Sequence, residues 1–104
     1  MDPFEAISDP TRRRIIELLA DRERPVGELV ANFGVSFSAI SQQLRILSEA
    51  KLVQSRREGR KQIYCLNPAS LYPVADWLSH YARSFWKQKL STLDTVLGRI
   101  KDET

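Results

Sequence analysis

Cysteine and histidine are almost absent from this sequence of 104 residues, which contains one of each. A disulfide bond within the chain is excluded because Cys65 has no partner. A metal site needs several His, Cys or carboxylate ligands, and Cys65 together with His80 supplies too few of them. We therefore expect no metal ion and no other cofactor.

Long hydrophobic runs are also missing. No stretch approaches the roughly 18 apolar residues that a membrane-spanning helix needs. The start, Met1-Asp2-Pro3, lacks the basic and then apolar layout of a signal peptide. We expect a cytoplasmic protein without membrane contact, with residues 1–104 forming one domain because the chain is too short for two separate cores.

Recognisable catalytic groups are lacking as well. The sequence has no Gly-rich phosphate-binding loop, and no pair of carboxylates or nucleophile–base set is supported by its spacing. His80 by itself is more typical of a packing or surface residue. We therefore expect no catalytic residues, and an enzyme is the weakest of the function classes.

Positive charge is modest overall but concentrated locally. The formal net charge of the whole chain is +3. The segment 45–61 alone contains six basic and two acidic residues, a net charge of +4. Such a local excess is expected where a protein docks on phosphates, although a solvated surface would show it too.

The first third of the chain indicates two helices. Asp9-Pro10 is a strong helix start, since Asp caps free amides and Pro is tolerated at the first helical position. The spacing of Ile15, Leu18 and Leu19 predicts a helix over 10–21. A short helix carrying Phe4 and Ile7 is expected to precede it.

The next segment has the pattern of a helix-turn-helix. Helical periodicity runs over 26–33 and is predicted to stop at Gly34, in a left-handed conformation. Ser36 is a candidate cap for a helix over 37–49, whose apolar face is Ile40, Leu44 and Leu47. A joint of about three residues between two helices is the sequence form of this motif, although a plain helical hairpin has similar spacing.

A β-hairpin is predicted directly after these helices. Residues 52–57 and 62–66 have strand composition, and Gly59 provides the reversal between them. A helix-turn-helix followed by a hairpin with a basic tip is a winged helix-turn-helix, a mainly α fold with a two-stranded β-hairpin.

The final segment predicts a long helix over about 69–100, in which Pro73 is tolerable only near the start. From Trp86 the apolar residues follow heptad spacing, and a helix of about 28 residues is near 40 Å long, more than a small domain can cover. We therefore predict a dimerisation helix rather than a cofactor site. The candidate dimer residues are Phe4, Trp77, Leu78, Tyr81, Phe85, Trp86, Leu90, Leu93 and Leu97.

Three motifs in order resemble the ArsR/SmtB family of bacterial winged-helix repressors. They are the segment 4–16 around Asp9-Pro10-Thr11-Arg12, the segment 34–44, and Arg57-Glu58-Gly59-Arg60-Lys61 followed by Tyr64. The likeness covers about residues 4–67. It implies a homodimer that binds operators of two-fold symmetry on double-stranded DNA and blocks transcription.

The metal motifs of that family are missing. Members with a thiol sensor carry Cys-x-Cys where this chain has Pro25-Val26-Gly27, and members with a sensor on the last helix carry Asp-x-His and a second His, whereas this chain has Asp76 and His80 only. The resemblance therefore points to a branch that does not sense metals and that includes autorepressors of neighbouring genes. It assigns no effector: a small organic ligand, a protein partner or no ligand all stay open.

The candidate DNA-binding residues follow from the predicted helix and wing. Gln42 suits an adenine edge, Arg45 a guanine or a phosphate, and Phe37 either contacts a thymine methyl group or folds back onto the domain. Gln43 is expected to pack or hydrogen-bond within the protein. The full set is Phe37, Ser38, Ser41, Gln42 and Arg45 on the helix, with Arg57, Arg60 and Lys61 on the wing.

Two function classes follow from these patterns. The first is a dimeric, sequence-specific DNA-binding transcriptional regulator at the bacterial nucleoid, acting as a repressor of its own or neighbouring genes. The alternative is a winged-helix module that binds proteins without sequence-specific DNA binding.

Overall fold

The computed structural model describes the backbone of residues 1–102 and the side chains of residues 1–92 and of Thr95. The side chains of Leu93 and Leu97, two of the predicted dimer residues, lie outside the described residues. By its contacts the chain divides into two units, Met1–Pro73 and Val74–Thr104. Within the described part, no helix is long and apolar enough to cross a membrane.

The first unit begins with two capped helices. Helix α1 spans Pro3–Ala6 and helix α2 spans Pro10–Asp21. The carboxylate of Asp9 accepts a hydrogen bond of 3.0 Å from the Arg12 amide, so the predicted cap and the predicted bounds of α2 are confirmed. Ile7 follows the end of α1 rather than belonging to it.

The helix-turn-helix consists of α3, Val26–Ala31, and α4, Phe37–Glu49. Helix α4 has its predicted bounds, and the hydroxyl oxygen of Ser36 accepts from the Ala39 amide at 3.2 Å, which confirms the predicted cap. Helix α3 ends before the predicted Phe33, because the Asn32 side chain donates to the Glu28 carbonyl and the last amides bond three residues back. Gly34 does not adopt the predicted left-handed conformation: among the residues with described backbone, Gly59 is the one glycine with positive φ.

The wing is an antiparallel hairpin of β2, Val53–Glu58, and β3, Lys61–Leu66. Gly59 has a φ of +65° in the two-residue loop, as a tight reversal requires. A third strand, β1, Arg24–Pro25, pairs with Tyr64 and Ile63 and gives the sheet the order β1-β3-β2. This strand was not predicted from the sequence, because two residues, one of them proline, carry no strand periodicity.

One apolar core joins the elements of the first unit. The predicted inward faces of α2 and α4 are buried in it, and side chains from α1, α3 and the entry to β2 complete it. Burial of this kind supplies most of the stability that holds short helices in place. The largest fully buried side chains are those of Ile15, Leu29, Ile40, Leu44, Leu47 and Leu52.

The end of α4 is closed by a left-handed residue that is not glycine. Lys51 has a φ of +63°, its amide donates to the Ser48 carbonyl, and the Leu52 amide donates to the Leu47 carbonyl. These two bonds, together with the burial of Leu47 and Leu52, form a Schellman motif. The side-chain amide of Asn67 donates to the Lys51 carbonyl at 3.0 Å, which ties the exit of β3 to the end of α4.

A single turn of 3-10 helix, Pro68–Leu71, precedes helix α5, Tyr72–Asp102. This arrangement confirms the prediction that Pro73 lies near the start of the last helix, where its missing N–H breaks no helical hydrogen bond. Helix α5 has 31 residues and is therefore about 46 Å long.

The left-handed conformation of Lys51 predicts how substitutions there change stability. An ordinary side chain pays about 1–2 kcal/mol in this conformation, and a β-branched one pays more. We expect Lys51→Gly to raise the free energy of unfolding by up to about 1 kcal/mol and Lys51→Ile to lower it by about 1–2 kcal/mol, measured by urea denaturation. Lys51→Gln is the control for lost charge, because its unbranched side chain has about the same cost in this conformation as lysine. Equal stability of the Ile and Gly variants would contradict the assignment.

Candidate nucleic-acid interface

The side of α4 that faces away from the core carries the five predicted base-contacting residues. Because Ile40, Leu44 and Leu47 are buried, the helical repeat turns the remaining positions outward. Those side chains border one shallow groove of about 450 Å³. The residues that the structure brings together there are Phe37, Ser38, Ser41, Gln42 and Arg45.

The polar members of this groove are accessible. Gln42 and Ser38 are exposed, and Ser41 is half-buried. Arg45 lies 3.8 Å from Glu49, but its side chain is 80% exposed, and such a long, solvated pair one turn apart is weak. The guanidinium of Arg45 therefore remains available to a partner.

Phe37 is the one large apolar side chain in the groove. It is 57% exposed and does not belong to the core. Phe37 therefore lies on the surface of the domain and not in its core. Both alternatives drawn from the sequence, folding back onto the domain and contact with a thymine methyl group, stay predictions.

Gln43 faces the other way and is held inside the protein. Its side-chain oxygen accepts from Nη1 of Arg12 at 3.0 Å. Arg12 also donates from Nε to the Ala6 carbonyl at 2.6 Å and from Nη2 to the Glu5 carbonyl at 3.1 Å. The predicted internal hydrogen bond of Gln43 is confirmed. These contacts of Arg12 were not predicted from the sequence, although Arg12 lies on the same helical face as the buried Ile15.

The wing carries the three predicted cationic residues in exposed positions. Arg60 lies in the two-residue loop at the tip, next to Lys61, and Arg57 pairs with Gln62 across the hairpin. Within the described part of the chain, no carboxylate forms a salt bridge with Arg57, Arg60 or Lys61. Their charges are therefore not neutralised by the unit that carries them.

Arg56, which contributes to the basic cluster seen in the sequence, has a different role. Its two terminal nitrogens donate to both carboxylate oxygens of Glu23 at 2.8 and 2.6 Å, and one also donates to Glu58 at 3.1 Å. The hydrogen bonds from Arg56 lower the pKa of Glu23, and the two carboxylates raise the pKa of Arg56. Arg56 thus anchors the wing to the segment before β1.

A second arginine fixes the start of α3. Arg24 is 9% exposed, and its Nε donates to the Leu18 carbonyl at 2.9 Å. Its terminal nitrogens donate to Glu28 at 2.8 Å and to Asp21 at 3.1 Å. Glu28 also accepts from Arg22, and the hydrogen bonds from both arginines lower its pKa. These contacts join α2, β1 and α3 beside the wing.

The residues at the family's sensor positions do not fit a metal ion. Pro25, Val26 and Gly27 have no ligating side-chain atoms. Across the residues whose side chains are described, no group of three or more His, Cys, Asp or Glu could hold a metal.

Helix α5 exposes a row of large apolar side chains. The rings of Trp77 and Tyr81 contact each other at a tilt of 60° with 5.3 Å between their centroids, and Phe85 meets Trp86 edge-on at 5.4 Å. The exposed fractions of the six predicted dimer residues described on this helix lie between 49% and 63%. In α1, Phe4 is 41% exposed. The predicted dimer residues with described side chains in α5 are Trp77, Leu78, Tyr81, Phe85, Trp86 and Leu90.

A helix-turn-helix followed by an exposed basic wing defines a winged-helix DNA-binding protein. The chain matches the model of the bacterial regulatory protein, arsR family, over residues 9–55. It is 36% identical to the transcriptional repressor SdpR of Bacillus subtilis over 78 residues, 75% of this chain and 87% of that protein. It is 35% identical to the HTH-type transcriptional regulator Rv2034 of Mycobacterium tuberculosis over 101 residues, 97% of this chain and 91% of that protein.

Solved structures agree with this assignment. The crystal structure of a possible transcriptional regulator for arsenical resistance superposes with a TM-score of 0.72 and 42% identity, covering 78% of this chain and 84% of the other. That of M. tuberculosis Rv0081 gives a TM-score of 0.63 and 37% identity, covering 82% and 87%. The chain belongs to the bacterial arsR family, and it is a DNA-binding transcriptional regulator, not an enzyme.

The bridge between Arg56 and Glu23 predicts a dependence of stability on pH. Because the pKa of Glu23 is lowered from 4.5, the bridge stabilises the fold above that pH, and its contribution is lost as the pH falls through the lower folded value. We expect Arg56→Gln to reduce the free energy of unfolding more at pH 7 than at pH 3. Arg57→Gln is the control, because Arg57 lies on the same strand and has no salt bridge among the described side chains. An equal loss for Arg56→Gln at both pH values would contradict the bridge.

Proposed function

We propose that the chain is a homodimeric repressor that binds operators of two-fold symmetry and blocks transcription of its own or neighbouring genes. The observation that carries this proposal is the exposed groove on α4, lined by Ser38, Ser41, Gln42 and Arg45 with Phe37, opposite the buried face of the same helix. The relative named a transcriptional repressor supports repression rather than activation.

Helix α4 would read bases in the major groove. Gln42 has the amide that bonds bidentately to an adenine edge, and Arg45 reaches a guanine or a phosphate. Ser38 and Ser41 suit either kind of contact, and Phe37 would meet a thymine methyl group. The internal hydrogen bond of Gln43 keeps that side chain out of the reading surface.

The wing would contact the sugar–phosphate backbone or the minor groove. Arg57, Arg60 and Lys61 are exposed and have no salt-bridge partner among the described side chains. Phosphate contacts of this kind position a protein on DNA without reading sequence. Because a dimer doubles their number, binding should weaken steeply as salt is added.

Helix α5 would supply the dimer interface. Its exposed aromatic and aliphatic side chains form an apolar surface of the kind that marks an interaction site. The heptad spacing of the sequence suits a second copy of the same helix, with residues 69–100 acting as the dimerisation helix of one domain over 1–104. Two DNA-binding units related by a two-fold axis would match two operator half-sites.

The regulator would act in the bacterial cytoplasm, at the nucleoid, where its DNA target lies. We assign it no cofactor, and we propose that it does not sense metal ions. The residues Pro25, Val26 and Gly27 offer no ligands at one sensor position, and Asp76 with His80 forms an incomplete set at the other.

Substitutions in the groove and on the wing should have different effects. With an operator selected from a random DNA pool, Gln42→Ala should cost about 1–3 kcal/mol of binding free energy and relax preference at one base pair. Arg60→Ala should weaken binding to operator and random DNA alike and lower the salt dependence. Arg14→Ala is the matched control for lost charge.

Fluorescence anisotropy on both DNAs measures these effects. An equal loss on operator and random DNA for Gln42→Ala would contradict the assignment of base readout. A wild-type protein with no preference among DNA sequences would instead favour the protein-interaction module.

A charge placed on the apolar face of α5 should break the dimer. We expect Phe85→Glu to shift the protein to a monomer in sedimentation equilibrium and to lower operator affinity at least about tenfold, because an unpaired carboxylate is costly to bury. Lys87→Glu, an exposed position on the same helix, is the control and should stay dimeric. A monomeric wild-type protein that binds operator with full affinity would refute this interface.

A further inference from the structure

A concavity of about 520 Å³ lies among the start of α3, the start of α4 and the wing. It belongs entirely to the first unit. It is distinct from the groove on α4 that carries Ser38, Ser41, Gln42 and Arg45, although Phe37 lines both. Its size is in the range of sites for small organic ligands. The residues that carry the argument are Pro25, Val26, Gly27, Phe37, Arg60 and Lys61.

The charge of this cavity is positive at its rim. Arg60 and Lys61 border it and have no carboxylate partner within the described part of the chain. Glu28 is the one acidic residue in the lining, and its carboxylate is already engaged by Arg22 and Arg24. An anion in the cavity would therefore meet two cations whose charges are not compensated. The one carboxylate that it would meet is already compensated by Arg22 and Arg24.

Another part of the cavity lining is apolar. Pro25, Val26 and the ring of Phe37 offer flat hydrocarbon surface. Gly27 adds space, because a Cβ built there would meet no atom within 4 Å. A ligand that contacts both the cationic and the apolar parts of the lining has a planar apolar body and one anionic group.

We propose that this cavity binds a small aromatic carboxylate and that the bound ligand competes with DNA. Arg60, Lys61 and Phe37 line the cavity and are also residues that would contact DNA, so a ligand that engages them removes them from the operator. The competition rests on the proposed function, whereas the binding site itself does not. Such a ligand would act as an inducer without any metal.

Binding is tested by titrating the full chain with 2-naphthoate as the probe. Changes in the backbone amide chemical shifts are measured by NMR. We expect saturable shifts at Gly27, Phe37 and Lys61 with a dissociation constant below about 1 mM. The neutral analogue 2-naphthalenemethanol should bind at least tenfold more weakly. Shifts confined to other residues, or equal affinity for the acid and the alcohol, would overturn the proposal.

A substitution that fills the cavity provides the matched control. Gly27→Leu should weaken 2-naphthoate binding at least tenfold, and Gly27→Ala, with a single methyl group, less than threefold. If Gly27→Leu does not fold, Arg60→Gln takes its place and must weaken binding of the acid while leaving the alcohol unchanged. An unchanged affinity for the acid in the variant tested would contradict the proposed binding site.

Competition is tested by adding 2-naphthoate at ten times its dissociation constant to the protein–operator complex. Mutually exclusive binding predicts about a tenfold loss of operator affinity in the wild type and at most about a twofold loss in Gly27→Leu. Failure to bind DNA without the probe would refute the proposed function and leave the site standing. Binding of the probe without loss of operator affinity would refute the competition alone.

Discussion

The burial of Ile40, Leu44 and Leu47 determines what α4 presents to its surroundings. Because the helix has 3.6 residues per turn, the burial of these three side chains fixes the direction in which every other side chain of α4 points. The exposed groove therefore follows from the core, and its polar character follows from the residue types that occupy those directions. A shift of the buried face by one residue would turn Gln43 outward and Gln42 toward the core.

Charge pairing divides the basic residues into two groups with different tasks. Arg24 and Arg56 are held by carboxylates and fix the positions of α3 and of the wing. Arg57, Arg60 and Lys61 are left without such partners and remain available to an external anion. The sum of charges over 45–61 does not reveal this division, because Glu23, which holds Arg56, lies outside that segment.

Local signals explain which parts of the structure could be predicted from the sequence. The bounds of α4 follow from the Ser36 cap and the spacing of its apolar residues, and the hairpin turn follows from Gly59. The contacts that were missed join residues far apart in the chain: Arg56 to Glu23 across 33 positions and Arg12 to Gln43 across 31. The left-handed Lys51 was also missed, since the tertiary structure imposes a conformation that its residue type disfavours.

The outward face of α4 has a further consequence for how such regulators diversify. Exposed positions usually tolerate substitution with little change in stability. Ser38 and Gln42 are exposed, and the core beneath them does not depend on their identity. On the proposed role of α4 in base readout, mutation at these positions explores new target sequences while folding is preserved. Duplicated genes with this architecture can thus acquire separate regulons through a few surface changes, without first gaining stability to compensate for them.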